Sequence, residues 1–261
     1  MKIFIPCYDG IPDLDLGTYA PVQSGTAVTD YNLSCVHDND KSPNISDKNE
    51  LYRELCVLQY SAEHLVDDDN GCYGIEQGKR FMIRNYGFLD VRQDNPVRIY
   101  EDMLSAYREL LAYKDEDLDG YDMIAPCPQR MYQARNTLFD NWCHFHDKEF
   151  VLQAYNAVKN LYPDYTKAFE TVFFGDSQFY IFHNIFITRG SIYKEYAKWL
   201  IGVLSEVEKN VTFNKDIDVH YNHIEKTYKP LPWLSEHLIN VFVLRHRLMV
   251  KYNYIIQTFK R

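Results

Sequence analysis

A short polar segment, Gln77-Gly78-Lys79-Arg80, contains the residues best suited to binding an anion. It ends an apolar run that begins at Cys72 and predicts a short buried strand. A glycine lets a ligand approach the backbone, and the cations neutralise its charge. Two unit charges about 4 Å apart gain roughly 4 kcal/mol at an effective dielectric of about 20. The segment therefore predicts a diphosphate site, although a solvated basic loop would have the same residues.

Two further regions carry polar residues in positions that suggest ligand contact. Residues 12–44 are rich in Asp, Gly, Pro and Asn and predict a long irregular loop, which is usually functional or disordered. Gln23 and Gly25 would place an amide and an open backbone there. His183 and Asn184 interrupt an apolar run from 179 to 187 that predicts one strand. A polar pair buried in such a strand must find partners or face a cleft, and both alternatives stay open.

The helix predicted after Asn44 positions the next candidates. Asp47 and Glu50 are spaced as a capping pair, and Asn49 is an alternative cap. Five apolar residues then recur at helical spacing and predict one buried stripe: Leu51, Leu55, Leu58, Ala62 and Leu65. Arg53 and Glu54 lie off that stripe, so they are either surface charges or substrate contacts.

The remaining pattern alternates strands and helices. A first strand is predicted over residues 2–8 and another over 121–127. Helices are predicted over 100–114 and 150–161, from Ser191, and from Trp233 towards the basic C-terminus, with a polar linker over 210–229. This alternation predicts an α/β protein with a mixed sheet and helices on both faces.

Composition narrows the functional classes. The formal net charge is −9, which argues against a general nucleic-acid-binding protein. The 22 Tyr and 15 Phe suit a site for a sugar or a base, because rings stack on flat faces, although a tyrosine-rich composition alone would explain them. The six Cys show no metal-binding spacing. Reduced thiols, the lack of a signal peptide and the lack of a long apolar span predict a cytoplasmic protein.

Several short segments have a specific order and spacing in combination. They are Asn44-Ile45-Ser46 with Lys48-Asn49, Tyr52-Arg53-Glu54-Leu55, Phe182-His183-Asn184-Ile185-Phe186-Ile187 followed by Tyr196-Ala197-Lys198-Trp199-Leu200, and Leu234-Ser235-Glu236-His237-Leu238. Together they resemble a bacterial glycosyltransferase-like family, domain of unknown function four-four-two-two, whose members occur in capsular-polysaccharide and O-antigen synthesis. The resemblance covers nearly the whole chain.

The sequence departs from that family at the central motif. The family usually has Gly-Leu-x-His-Tyr-Arg-Arg where this chain has Gly74-Ile75-Glu76-Gln77-Gly78-Lys79-Arg80. Tyr8-Asp9 likewise replaces a His-Lys pair after the first strand. Lysine keeps the charge of arginine but not its forked geometry.

The resemblance implies a GT-A-like fold, in which a Rossmann-like sheet binds a nucleoside diphosphate sugar near the ends of its first strands. One domain, 1–261, would comprise a nucleotide-binding half, 1–130, and an acceptor-side half, 131–261, with a basic C-terminal helix.

The implied reaction is transfer of a hexose, for example galactose, from a UDP-linked donor to a surface-polysaccharide or lipopolysaccharide glycan. Lys79 and Arg80 would stabilise the leaving group. Glu236 would act as general base, unless it only caps its helix with Ser235. The expected substrate contacts are Tyr8, Gln23, Gly25, Asn44, Asn49, Glu54, Gln77, His183 and Asn184.

Many such enzymes hold a divalent metal with an Asp-x-Asp motif. Three triplets match this motif: Asp38-Asn39-Asp40, Asp117-Leu118-Asp119 and Asp216-Ile217-Asp218. All three lie in predicted loops, so we expect them to be solvated turns. We therefore predict no metal ligand and no cofactor, with the cations replacing a metal at the leaving group.

Two other classes remain open. A sugar- or nucleotide-binding protein of the same fold that has lost its chemistry would explain the altered central motif. A nucleotidyltransferase would need a carboxylate pair and two metals, and no convincing pair follows a predicted strand. The basic C-terminus, from Arg245 to Arg261, also suits contact with an anionic membrane surface, or a solvated helix end.

Overall fold

A computed structural model describes residues 1–14, 17–84, 97–131, 137–213, 218–221, 224–227 and 230–260. Its strands are β1 (Lys2–Cys7), β2 (Tyr19–Gln23), β3 (Val36–His37), β4 (Cys72–Ile75), β5 (Arg80–Met82), β6 (Val97–Tyr100), β7 (Met123–Pro126), β8 (Gln129–Arg130), β9 (Phe179–Tyr180), β10 (Phe186–Arg189), β11 (Asp218–Tyr221), β12 (Ile224–Thr227), β13 (Val250–Asn253) and β14 (Ile255–Phe259). Its α-helices are α1 (Asn49–Tyr52), α2 (Leu55–His64), α3 (Arg108–Leu111), α4 (Leu138–Phe145), α5 (Glu149–Leu161), α6 (Thr166–Phe174), α7 (Gly190–Asn210) and α8 (Pro230–His246).

Within the described ranges, the main sheet has seven strands in the order β13-β7-β10-β4-β1-β2-β3. The pairs from β3 through β4 are parallel, as is β13 with β7. The strand β10 runs antiparallel to both of its neighbours. The sheet is therefore mixed, as predicted, and it takes strands from both halves of the chain.

The two faces of the sheet bury different layers. On β1, Phe4 packs towards the helices and meets Tyr193 of α7 edge-on, with ring centroids 6.0 Å apart. Ile3 and Ile5 point to the opposite face, into a second core beneath α3 and a three-stranded sheet of order β5-β14-β6. This alternation is the period of two expected of a strand buried on both sides.

Three predictions about regular structure near the N-terminus and in the middle of the chain were wrong. Residues 12–44 contain β2 and β3, which the proline-interrupted polar sequence hid. The predicted helix after Asn44 is broken at Arg53, and no side-chain hydrogen bond from a described residue caps its first turns. The run from 100 to 114 is a 3₁₀ helix, Glu101–Tyr107, followed by the short α3.

The second half also differs from the sequence pattern. The expected strand over 179–187 is two strands, β9 and β10, separated by His183 with φ 79°. The predicted linker over 210–229 contains the paired strands β11 and β12. The last helix ends at His246, and the basic tail folds into β13 and β14 instead of continuing it.

Candidate active site

A cavity of about 950 Å³ opens beyond the carboxyl ends of three strands of the main sheet. Tyr8 follows β1, Gly25 follows β2, and the segment 77–80 follows β4, while Glu236 on α8 closes the opposite side. Ligands of open α/β sheets bind at this edge, because strand-to-helix connections leave a crevice there. The cavity therefore lies where the sequence predicted a nucleotide.

Gln77 links the cation Arg80 to two carboxylates. Its Oε1 accepts a hydrogen bond from Nη1 of Arg80 at 2.6 Å. Its Nε2 donates to Oε1 of Glu54 at 3.4 Å and to Oε1 of Glu236 at 3.3 Å. The amide is thereby oriented from both ends, and it separates a positive from a negative side of the cavity wall.

The turn that carries these residues requires glycine. A Cβ on Gly78 would lie 2.9 Å from the carbonyl oxygen of Pro6, on the neighbouring β1 end. The close approach brings Lys79 and Arg80 to the cavity. The Lys79 side chain is 60% exposed, and its Nζ lies 3.9 Å from Glu101, a pairing too loose and solvated to immobilise it.

Glu236 and Glu54 have opposite tendencies to bind a proton. Burial favours the neutral form of Glu236, but the nearby side chains of His183 and Arg80 outweigh it and hold its pKa below the usual value. Burial raises the pKa of Glu54, and the nearby charge of Glu236 adds to that rise. Glu236 is thus the carboxylate that stays ionised and able to accept a proton.

His183 and Asn184 lie behind the carboxylates and not on the cavity surface. Nδ1 of His183 is 3.7 Å from Oε1 of Glu236. Asn184 donates from Nδ2 to Oε1 of Glu54 at 3.0 Å, and its Oδ1 accepts a hydrogen bond from Ser235 Oγ at 3.0 Å. Both side chains thus lie beside the acids, and the expectation that the pair lines the sugar side stays a prediction.

On the side of the first strands, the cavity wall is built from backbone and amides. Gly25 has φ 72°, and a Cβ there would lie 2.4 Å from Cγ of Asn49. The Nδ2 of Asn49 donates to Ser24 Oγ at 2.7 Å. Tyr8 completes this wall, and burial raises its pKa, so that the phenol stays protonated.

Two predicted contacts lie away from the cavity. Gln23 is fully buried; its Nε2 donates to the carbonyl of Tyr31, and its Oε1 accepts from the amide of Leu33. Asn44 donates to the carbonyl of Lys41 and accepts from the amide of Ser46. Both side chains are occupied in holding loops, and their predicted contact with a substrate stays a prediction.

Several residues that line the cavity were not part of the predicted site, and Trp233 and Arg53 are two of them. Trp233 lies one turn before Glu236 on α8 and borders the cavity. Arg53 borders it from the break between α1 and α2, with its guanidinium 5.7 Å from the centre of the Tyr8 ring. In the sequence, Arg53 is distinguished by its position off the buried stripe of the predicted helix. A charged residue on a solvent-exposed helix face has the same position, so the pattern does not identify a ligand contact.

The Asp-x-Asp triplets have other roles where the structure describes them. The Asp38 carboxylate is fully buried and accepts from the amides of Gly25 and Thr26 and from Ser46 Oγ. Asp117 pairs with Arg84. Predicting both as solvated turns was therefore wrong, and Asp216 lies outside the described residues. Within the described ranges, no three His, Cys, Asp or Glu side chains are grouped to hold a metal ion.

The fold is GT-A-like. The structure superimposes on one described as "WbbM bifunctional glycosytransferase apo structure" with a TM-score of 0.80 and 20% identity, covering 98% of this chain and 45% of that one. The chain thus spans less than half the length of that protein, and the likeness at this identity concerns the fold. No curated protein matches the sequence.

Family membership rests on the sequence itself. Residues 2–247 match the family described as Domain of unknown function (DUF4422). The match covers nearly all of the chain, so this protein belongs to that family, in agreement with the resemblance found from its short segments.

Proposed function

We propose that the protein is a glycosyltransferase that moves a hexose from a nucleotide-sugar donor, UDP-linked, to a glycan acceptor. The observation that carries the proposal is the cavity at the strand ends, with the oriented cation Arg80 and the exposed Lys79 on one side and an ionised carboxylate on the other. The GT-A-like fold of the neighbour supports the same class. Galactose as the sugar, and a surface polysaccharide or lipopolysaccharide as the acceptor, are parts of the proposal that follow from the family resemblance.

In the proposed reaction, the acceptor is activated on the Glu236 side of Gln77 and the leaving group is stabilised on the Arg80 side. An acceptor hydroxyl attacks the anomeric carbon, and Glu236 takes the proton of that hydroxyl as the new C–O bond forms. The bond from the anomeric carbon to the diphosphate oxygen breaks, and its electron pair leaves with the diphosphate. Lys79 and Arg80 stabilise the negative charge that develops there. In this proposal they serve in place of a divalent metal.

Nucleotide binding is the first step to test. At a hundred times its dissociation constant, UDP stabilises a folded protein by roughly 2.7 kcal/mol, which raises Tm by several degrees. We expect this rise for UDP, or for GDP, in the presence of a chelator. Replacing both Lys79 and Arg80 with Ala should abolish it, because the diphosphate loses both cations.

The matched control is Lys194→Ala on α7, where the lysine pairs with Asp69 on the surface outside the cavity. That variant should keep the full rise of Tm with UDP. A rise that occurs only after a divalent metal is added would show that the metal-free part of the proposal is wrong. No rise under either condition would overturn the nucleotide site.

The base is tested by separating binding from turnover. Glu236→Gln keeps the shape and the hydrogen bond to Gln77 but cannot accept a proton at neutral pH. We expect an unchanged dissociation constant for UDP and a fall of about 10²–10⁴ in the rate of UDP-sugar hydrolysis. Glu206→Gln, on the surface of α7, is the control and should leave both quantities unchanged. Equal turnover in Glu236→Gln and in the unaltered protein would remove Glu236 as the base.

A binding protein without turnover is the second candidate, favoured by the altered motif around Gln77. It predicts a UDP-dependent rise in Tm together with no hydrolysis by the unaltered protein.

No helix in the described part of the chain is long and apolar enough to cross a membrane. Peripheral contact with an anionic membrane through the basic C-terminus stays a proposal; there Arg245 pairs with Asp164 and Lys260 with Asp9. Binding to anionic but not neutral vesicles would support it.

A further inference from the structure

The backbone of Arg53 is in a conformation that glycine favours. Among the described residues, the non-glycine positions with positive φ are Arg53, His183 and Arg247. Arg247 follows the end of α8, where a left-handed residue is common. Arg53 instead borders the cavity, and His183 lies behind it, next to Glu236. Strain of this kind persists only where the surroundings impose it, and it concentrates at functional sites.

Hydrogen bonds from the cavity wall hold Arg53 in place. With φ 51° and ψ −126°, it separates α1 from α2. Its amide donates to the carbonyl of Asn49 at 2.9 Å. Its own carbonyl accepts from Ser24 Oγ at 3.1 Å and from Nδ2 of Asn49 at 3.4 Å. The wall residues that flank Gly25 therefore fix the direction in which the arginine side chain leaves the backbone.

The Arg53 side chain is a cation without a carboxylate partner in the described part of the chain. Its guanidinium lies over the ring of Tyr8, which also borders the cavity. By contrast, Arg84 and Arg189 lie close to Asp117 and Asp119. A planar guanidinium supported by a ring keeps its fork of donors free for an anion.

We propose that Arg53 binds the phosphates of the donor nucleotide, with Tyr8 as its support, and that its strained backbone is retained for this contact. The inference rests on the proposed function and adds a third cation to Lys79 and Arg80. It also explains why arginine occupies a position where glycine would fit the backbone without strain.

The replacement Arg53→Gly separates the backbone strain from the phosphate contact. Loss of the strain should raise the stability of the protein, whereas loss of the side chain should lower its affinity for UDP. Relief of strain should raise the Tm of the ligand-free protein by about 2 °C or more. Loss of charge-assisted hydrogen bonds should weaken the binding of UDP about 10- to 100-fold. Arg53→Lys keeps a charge without the fork and should show an intermediate loss. Inorganic pyrophosphate should weaken in parallel with UDP, whereas uridine should bind as before.

Arg247→Gly is the matched control, since it relieves a positive φ outside the cavity. It should raise Tm similarly and leave the UDP dissociation constant unchanged. Equal UDP binding by Arg53→Gly and the unaltered protein would overturn this inference and leave the proposed function standing. A fall of both Tm and affinity in Arg53→Gly would also overturn it, since the residue would then be structural. No binding of UDP, GDP or pyrophosphate by the unaltered protein would overturn the proposed function and this inference together.

Discussion

The carboxyl of Glu76 is fully buried directly before Gln77 and is not used by the proposed chemistry. Its Oε1 accepts from the amide of Met82 at 3.0 Å, while Oε2 has no partner among the described residues. Burial raises its pKa from 4.5 to about 8. At neutral pH the side chain is therefore protonated in the folded protein but ionised in the unfolded chain.

This difference predicts how stability depends on pH. Between pH 4.5 and about 8 the folded state holds a proton that the unfolded state has lost, so the contribution of Glu76 to stability falls as pH rises. The slope is at most about 1.4 kcal/mol per pH unit. We expect Glu76→Gln to match the unaltered protein near pH 5 and to exceed it in free energy of unfolding at pH 8, measured with urea. Parallel curves for the two proteins would contradict the prediction.

The residue types in the sequence predicted part of the candidate site, but the sequence did not predict the backbone conformation there. Lys79, Arg80, Gln77 and Glu236 border one cavity, but Glu236 was expected near a helix start and lies almost two turns into α8, which begins at Pro230. The role of Gln23 could not be read, because a buried amide that holds a loop has the same local sequence as one that binds a ligand. Nor does any sequence pattern reveal the positive φ of Arg53.

At the scale of elements, long amphipathic helices could be predicted and short strands could not. The periodicity of α5 and α7 places their apolar residues on one buried side. β2 has only five residues and contains Pro21, and β3 has only two residues. Such strands are stabilised by pairing with neighbours distant in sequence, so their own residues carry little signal.

Buried polar residues connect these short elements to the site. The Asp38 carboxylate, just after β3, accepts from the amides of Gly25 and Thr26 and from Ser46 Oγ. It thereby fixes the loop after β2 against the segment that leads into α1. A sequence reading sees a polar turn here, because only the folded arrangement brings three donors to one carboxylate.

At the scale of the whole molecule, the C-terminal strands complete the sheet that carries Arg80. The family match ends at residue 247, before β13 and β14. β14 lies in the middle of its three-stranded sheet, with Ile256 opposite Phe81 and Gln257 opposite Arg80 on β5. The last residues of the chain thus support a cation that the first third supplies, and the predicted basic helix would not have provided this support.

This connection predicts that a core replacement in β14 affects both stability and nucleotide binding. Ile256 is fully buried, so Ile256→Ala should cost about 2–5 kcal/mol and lower Tm accordingly. Because β14 pairs with β5, we also expect weaker binding of UDP, measured by titration well below Tm.

The control is Leu204→Ala, in the buried face of α7. It removes a side chain of similar size on the other side of the main sheet and should lower Tm without the loss of affinity. Lys260→Ala breaks an exposed pair with Asp9 and should leave the free energy of unfolding almost unchanged. Equal UDP affinity in Ile256→Ala and Leu204→Ala would show that β14 supports the fold alone and does not position Arg80.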